Sequence, residues 1–142
     1  MRSCCPCVSA AGLNFRDVMA ATGLLPKDAE NDDASEALGL EFAGVVESVG
    51  PGVEGLTRGT RIFGMARGSL RRDLTLFADR VYRMPDNLSD EQAAAIPSVY
   101  LTAYYALHHL ARLTAGERVL IHSGAGGVGV AAIALAQRLG AE

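Results

Sequence analysis

Nowhere in this 142-residue sequence is there an apolar run of the roughly 18 residues that a membrane-spanning helix needs. The N-terminus also lacks the apolar core of a signal peptide. Neither sign of charge is in excess: 13 lysines and arginines face 16 aspartates and glutamates, for a net charge of −3. That balance lacks the basic footprint of a nucleic-acid binder and suits a cytoplasmic protein. Seven arginines fall between Arg58 and Arg83, and we read them as a solvated face rather than a dock for an acidic partner. Cysteine is absent after position 7, because Cys4, Cys5 and Cys7 all sit in "CCPC". A disulfide framework needs spread-out, even-numbered cysteines, and a metal site needs ligands elsewhere. "CCPC" is therefore read as a stray N-terminal segment. There are no internal repeats, and the length suits one core.

What the sequence does contain changes character near Pro85. Before it, "GLNFRDVMAATGLLP" predicts a short helix from Asn14, its possible N-cap, to about Thr22, stopped by Gly23 and Pro26. Lys27 to Glu36, "KDAENDDASE", predicts a solvated acidic loop. "LEFAGVVESVGPGVEGL" is the clearest strand signal, closed by the "GPG" turn. "TRIFGMA" and "LTLFADRVYRMP" predict further strands, and short strands between glycine-rich turns point to a compact β-barrel. After Pro85, "SDEQ" predicts a capping box that opens a helix ending near Pro97. A longer helix is expected from Ser98 to about Leu113 and a buried strand over Arg118–His122. An alanine-rich helix follows from Gly127 to Leu139, capped by Gly140. The fold class is α/β overall.

The motif that carries chemistry is Gly124-x-Gly126-x-x-Gly129, set between the expected strand and helix. In that context G-x-G-x-x-G marks a dinucleotide-binding loop. The first glycine permits a tight turn, the second close approach of backbone to a pyrophosphate, and the third close helix packing. Free N–H groups and the helix dipole then face the phosphates. Gly124, Ala125, Gly126, Gly127, Val128 and Gly129 are the candidate cofactor-binding residues. An acidic or basic residue for the ribose is expected about 20 residues further on; Glu142 falls short of it and reads as the lead-in to a second strand.

"GLNFRDVMAATG", "LGLEFAGVVESVGPGVEGL", "AAAIPSVYLTAYYAL" and "GERVLIHSGAGGVGVAAIALAQRLGAE" together resemble the enoyl reductase domain of polyketide synthases and animal-type fatty acid synthases. Those domains form a zinc-free branch of the medium-chain dehydrogenase/reductase superfamily. The resemblance runs from about Ala10 to Glu142. It implies residues 1–9 as an atypical N-terminal segment and 10–97 as a partial GroES-like β-barrel domain. Residues 98–142 would begin a Rossmann NAD(P)-binding domain with its first strand and helix. It further implies NADPH as cofactor, an acyl-carrier-bound enoyl thioester as substrate, and the other domains of a parent megasynthase as partners.

By the same resemblance Asn14 and Thr102 match positions that approach the nicotinamide. Asn14 serves equally well as a helix cap, and Thr102 as a helix residue bonding back to its own backbone. Zinc is not expected: Leu40 stands where zinc-dependent relatives carry histidine, although Glu41 follows it. The family's candidate catalytic lysine and aspartate lie beyond Glu142. The expectation is therefore a reductase fragment, truncated at both ends and inactive alone. The alternatives are a fragment of a free-standing quinone oxidoreductase-like enzyme or a non-catalytic truncated product.

Overall fold

The computed structural model describes residues 3–25 and 37–142. The expected helix stop at Pro26 and the acidic loop Lys27–Glu36 lie outside the described residues. The chain divides into two compact units, Met1–Pro97 and Ser98–Glu142.

The first unit is built on strands β1 (Ser3–Gly12), β2 (Glu41–Val49), β3 (Arg61–Met65), β4 (Leu76–Phe77) and β5 (Val81–Arg83). They form one sheet in the order β4-β1-β2-β3-β5, antiparallel throughout and curled into a half-barrel. The N-terminal segment is not a stray piece. "CCPC" lies inside β1, where Cys4 pairs with Val49 of β2 and Leu76 of β4. Proline has no N–H for a ladder and is tolerated in a sheet at an irregularity. The register of β1 against β2 slips between Cys5 and Pro6, which gives Pro6 such a position.

β2 explains why simple alternation is hard to read here. Glu41, Phe42, Ala43 and Gly44 are all buried, so both faces of its first half are covered. One face fills a core of Cys4, Phe42, Val46, Leu56, Ile62, Ala66, Leu74 and Val81. On the other, Ala43 meets Met84, Ala93 and Ala94, the last two from helix α2 (Asp90–Ala94). The expected strand "LTLFADRVYRMP" is broken: a 3₁₀ turn over Ala78–Arg80 separates β4 from β5.

The local helix signals hold. α1 (Phe15–Ala21) begins after Asn14 and is followed by Gly23 at φ 71°. At α2 the Gln92 N–H donates to Ser89 Oγ (3.2 Å) and the Ser89 N–H to Gln92 Oε1 (3.0 Å). Asp90, the first residue of α2, also ties that helix to the sheet. It accepts from Ser9 Oγ of β1 and from Arg61 Nη2 of β3, the latter at 2.6 Å. The Ser9 hydroxyl and then the Arg61 guanidinium hold its carboxyl below the ordinary aspartate value of 3.8. A depressed carboxylate stabilises the fold above its unfolded pKa and loses that contribution as pH falls through the folded value. Wild-type chain should therefore lose melting temperature below about pH 4 more steeply than Asp90→Asn. The difference should not exceed about 1 kcal/mol, because both partners are partly solvated. Thermal melts of the two proteins between pH 3 and 7 test this.

Cys4 is fully buried, and burial first, then neighbouring Cys5, pushes its thiol above the ordinary value of 9.0. Thiolate is the reactive form. Maleimide should add to Cys5 and Cys7 in the native chain and reach Cys4 only in denaturant. Intact-mass spectrometry counts the adducts.

α3 (Pro97–Tyr104), in the second unit from Ser98 onward, runs into a π-helical segment, Tyr105–Leu110, instead of continuing as α-helix to Leu113. Two ring pairs stack along it, Tyr104 on His108 (4.6 Å) and Tyr105 on His109 (5.1 Å). α4 (Gly127–Leu139) ends at Gly140, whose φ of 79° is the left-handed C-cap conformation. Buried Ala131, Ala132 and Ala103 form a small core with Val99, Leu107, Ile121 and Leu135 packed on it.

The strand expected over Arg118–His122 is not formed as an element. Its beginning is visible all the same. The Glu142 N–H donates to the Glu117 carbonyl, and the Val119 N–H donates to the Glu142 carbonyl, both at 2.8 Å. Two bonds that bracket Arg118 in this way are one rung of a parallel ladder. Glu142 is thus paired with Arg118 in parallel sense. The side chains follow the backbone, with Arg118 Nε 3.4 Å from Glu142 Oε2.

Candidate functional site

In the second unit the glycine loop leads from Ser123 into the N-terminus of α4. Gly126 is the N-cap; its N–H donates to the Ser123 carbonyl (2.9 Å), and its own carbonyl accepts from Val130 (2.9 Å). The tight turn is made by Ser123 rather than Gly124: Ser123 has φ 56°, and Gly124 is not among the positive-φ residues. Gly129 is required by close approach. A Cβ there would overlap the Ser123 carbonyl oxygen and lie 2.8 Å from Gly124 Cα. Its neighbour is therefore the loop itself. A Cβ at Gly126 would meet only the Ser123 oxygen, at 3.3 Å. Gly129, Ala131, Ala132 and Ala136 form the buried face of the helix, and Ala134 is exposed.

The first-turn N–H groups of any α-helix have no intrahelical acceptor, and the helix dipole places partial positive charge there. Over the thirteen residues of α4 this favours an anion. The loop leading into this helix end is open at Gly126, where a Cβ would meet only the Ser123 oxygen.

Thr102 lies exposed on α3 and donates from Oγ1 to the Ser98 carbonyl (2.8 Å). Its donor is used within the helix, so only its acceptor capacity is open. Tyr104 and Tyr105 are 48% and 53% exposed and stacked on histidines. His122, at the end of the expected buried strand, is exposed.

Asn14 belongs to the first unit, at the N-cap of α1 with extended backbone. Its amide is turned to Glu41: Nδ2 donates to Glu41 Oε1 at 2.9 Å. The end of the helix is braced by Asp17. This carboxylate is 5% exposed and accepts from the Asn14 N–H through Oδ2 and from the Gly39 N–H through Oδ1, each at 2.8 Å. The spacing Asn14-x-x-Asp17 was the available signal, because an acidic group at the third helical position reaches back to the N-cap N–H. The link from Asp17 to Gly39 and from Asn14 to Glu41 joins residues distant in sequence, and no local pattern announces it. Among the described residues, no three histidines, cysteines, aspartates or glutamates gather as a metal site would require. No helix among them is long and apolar enough to cross a membrane.

Comparison with known proteins places this geometry. Residues 7–86 match the model of the alcohol dehydrogenase GroES-like domain. Erythronolide synthase EryA2 of Saccharopolyspora erythraea is 48% identical over 135 residues, which is 95% of this chain and 4% of that synthase. The crystal structure of CurK enoyl reductase superposes with a TM-score of 0.92 and 41% identity, covering 99% of this chain and 44% of that one. Escherichia coli quinone oxidoreductase, solved in complex with NADPH, gives a TM-score of 0.81 and 34% identity over 99% of this chain and 42% of its own. The chain therefore spans a small part of the synthase and less than half of either solved structure. By its half-barrel, its glycine loop and these matches, the chain belongs to the alcohol dehydrogenase GroES-like domain family, on the enoyl reductase side of the medium-chain dehydrogenase/reductase superfamily.

Proposed function

We propose that this chain is the N-terminal part of an NADPH-dependent enoyl reductase acting on a trans-2-enoyl thioester held by an acyl carrier in polyketide synthesis. The observation that carries the reading is the Gly124–Gly129 loop at the head of α4, in a chain 41% identical to CurK enoyl reductase. Bound NADPH would supply the hydride that reduces the β-carbon of the enoyl group, with a proton taken up at the α-carbon. The backbone N–H groups of Gly127, Val128 and Gly129 hold the pyrophosphate, and Gly129 keeps the helix close enough to the loop to do so. Asn14 and the open acceptor of Thr102 serve the nicotinamide end. The partners are the carrier-bound substrate and the other domains of a cytoplasmic synthase. Residues 10–97 are taken as the GroES-like part and 98–142 as the start of the Rossmann part. Alone, the 142-residue chain gives no turnover.

A second reading, part of a quinone oxidoreductase-like enzyme, is favoured by the match to the E. coli enzyme. A chimera separates the two: this chain replaces the matched 44% of CurK enoyl reductase. NADPH oxidation by a crotonyl thioester, without oxidation by 1,4-benzoquinone, supports the reductase. The reverse result supports the quinone enzyme, and oxidation by neither overturns both.

A further inference from the structure

Cys5 and Cys7 form a pair of thiols on one face of β1. Along its β4 side the register is unbroken: Ser3 pairs with Phe77, Cys4 with Leu76 and, in a further bridge, Cys7 with Asp73. Between these pairs the Leu74 N–H donates to the Pro6 carbonyl at 3.1 Å. The slip against β2 puts its extra residue, Glu47, in β2 and not in β1. Alternate residues of a regular strand project to the same side. Burial follows that period: Cys4 and Pro6 are buried, while Cys5 and Cys7 are partly exposed.

This spacing does not suit a disulfide. Same-face neighbours along a strand are about 6.5 Å apart, whereas a disulfide brings the two Cβ atoms to about 4 Å. Two sulfurs on opposite sides of one ion, each at a metal–sulfur bond of about 2.3 Å, stand about 4.6 Å apart. Side chains that lean toward each other along a strand reach that separation. Among the described residues no third histidine, cysteine, aspartate or glutamate gathers with the pair. A closed tetrahedral zinc site is therefore not built here. What the pair offers is two soft ligands in line, and thiolates select Cu(I) among the common ions.

The surroundings suit a thiolate complex. Thr75 Oγ1 lies 3.6 Å from Cys5 Sγ. On the other thiol, the Arg72 guanidinium bonds to Cys7. That bond first, then the charges of Cys7, Asp73 and Glu47, holds Arg72 above its ordinary pKa. Two thiolates with Cu(I) carry one net negative charge, and Arg72 sets the opposite charge beside it. Donors of this kind orient ligands and stabilise their charged form.

We propose that Cys5 and Cys7 form a two-coordinate site for Cu(I), with the Thr75 hydroxyl and the Arg72 guanidinium as donors to the two sulfurs. Binding replaces two S–H bonds with two S–Cu bonds and releases two protons, and the copper keeps its oxidation state. None of these residues belongs to the Gly124–Gly129 loop, so the site stands apart from the proposed reductase function.

The reduced 142-residue chain is titrated with Cu(I) under argon and ascorbate, in competition with bicinchoninate, and native mass spectrometry counts the bound ions. One Cu(I) per monomer is expected. Cys5→Ser and Cys7→Ser should each lose it, Cys4→Ala should keep it, and Arg72→Gln should weaken it about tenfold. Zn(II) should not be retained. Cu(I) held by either serine variant as tightly as by wild type overturns the site. So does Cu(I) found only in dimers, or Zn(II) bound as tightly as Cu(I). Unchanged affinity in Arg72→Gln removes Arg72 from it. Where a serine variant does not fold, maleimide on the wild-type chain decides. One equivalent of Cu(I) should protect both thiols and take the native adduct count from two to none. Protection of one thiol alone, or of neither, overturns the pair.

Discussion

Gly129→Val is expected to lower NADPH-dependent turnover of the CurK chimera by more than about 100-fold, through lost cofactor binding. The valine side chain has to enter space held by the Ser123 carbonyl and Gly124 Cα. Neither neighbour is the end of a flexible side chain, so the loop must move away from the helix. That movement separates the turn from the first-turn N–H groups of α4, on which the proposed pyrophosphate site depends. Overpacking at such a place costs about 1–3 kcal/mol, and lost phosphate contacts add to it. Gly127→Ala is the control. Its Cβ would lie 3.1 Å from Val99 Cγ1, a side-chain methyl that can shift by tenths of an ångström. NADPH fluorescence titrations of the two variants give the comparison, and equal affinities would remove Gly129 from the account of the loop.

Phe42→Ala is expected to unfold the first unit or bring it close to unfolding. Phe42 is fully buried, and Cys4, Val46 and Ile62 of its core cluster are at 0–1% exposure. Its strand lies between β1 and β3, where it pairs with Ala11 and Gly64. Truncating a buried phenylalanine costs about 3–5 kcal/mol, against a total stability of about 5–15 kcal/mol for an ordinary domain. Phe15, 77% exposed on α1, is the contrast, and Phe15→Ala should change stability by less than about 0.5 kcal/mol. Urea titrations followed by circular dichroism measure both. A Phe42→Ala midpoint near wild type would mean that the half-barrel is held mainly by something other than this core.

Features set by near neighbours in the chain were legible in the sequence. Ser89 and Gln92 are three residues apart and cap each other, so the start of α2 is written in four letters. The same holds for α4, opened by its glycines and closed by Gly140. β1 was not legible, because cysteines and a proline lack the usual strand pattern. It exists through β2 and β4 on its two sides, and through a register slip that makes room for Pro6. Arg118–His122 shows the converse. Its residues suit a strand, yet a strand is a property of pairs. Leu120 stands 82% exposed, and the pairing is confined to the Glu142 rung. At the candidate site the loop and Asn14 were readable as positions. The orientation of Asn14 was not, because Glu41 lies 27 residues away and meets it only after β2 is laid against β1. The π-helical segment after Tyr104 was hidden for a similar reason. Its residues suit an α-helix, and only the backbone bond from Ala111 to Ala106, five residues back, reveals the widened turn.

The single rung at Glu142 has a consequence for assembly. With Glu117 and Val119 each bonded to Glu142, the backbone at Glu142 runs parallel to that at Arg118, and the alignment of the two is fixed to the residue. Positions that share the parity of Glu142 must then project to the same side as Arg118. α4 forms the crossover between the two partners, and such crossovers are right-handed in nearly all sheets. One pair of peptide groups thus acts as a template. It sets the polarity and phase of the backbone at Glu142 relative to that at Arg118.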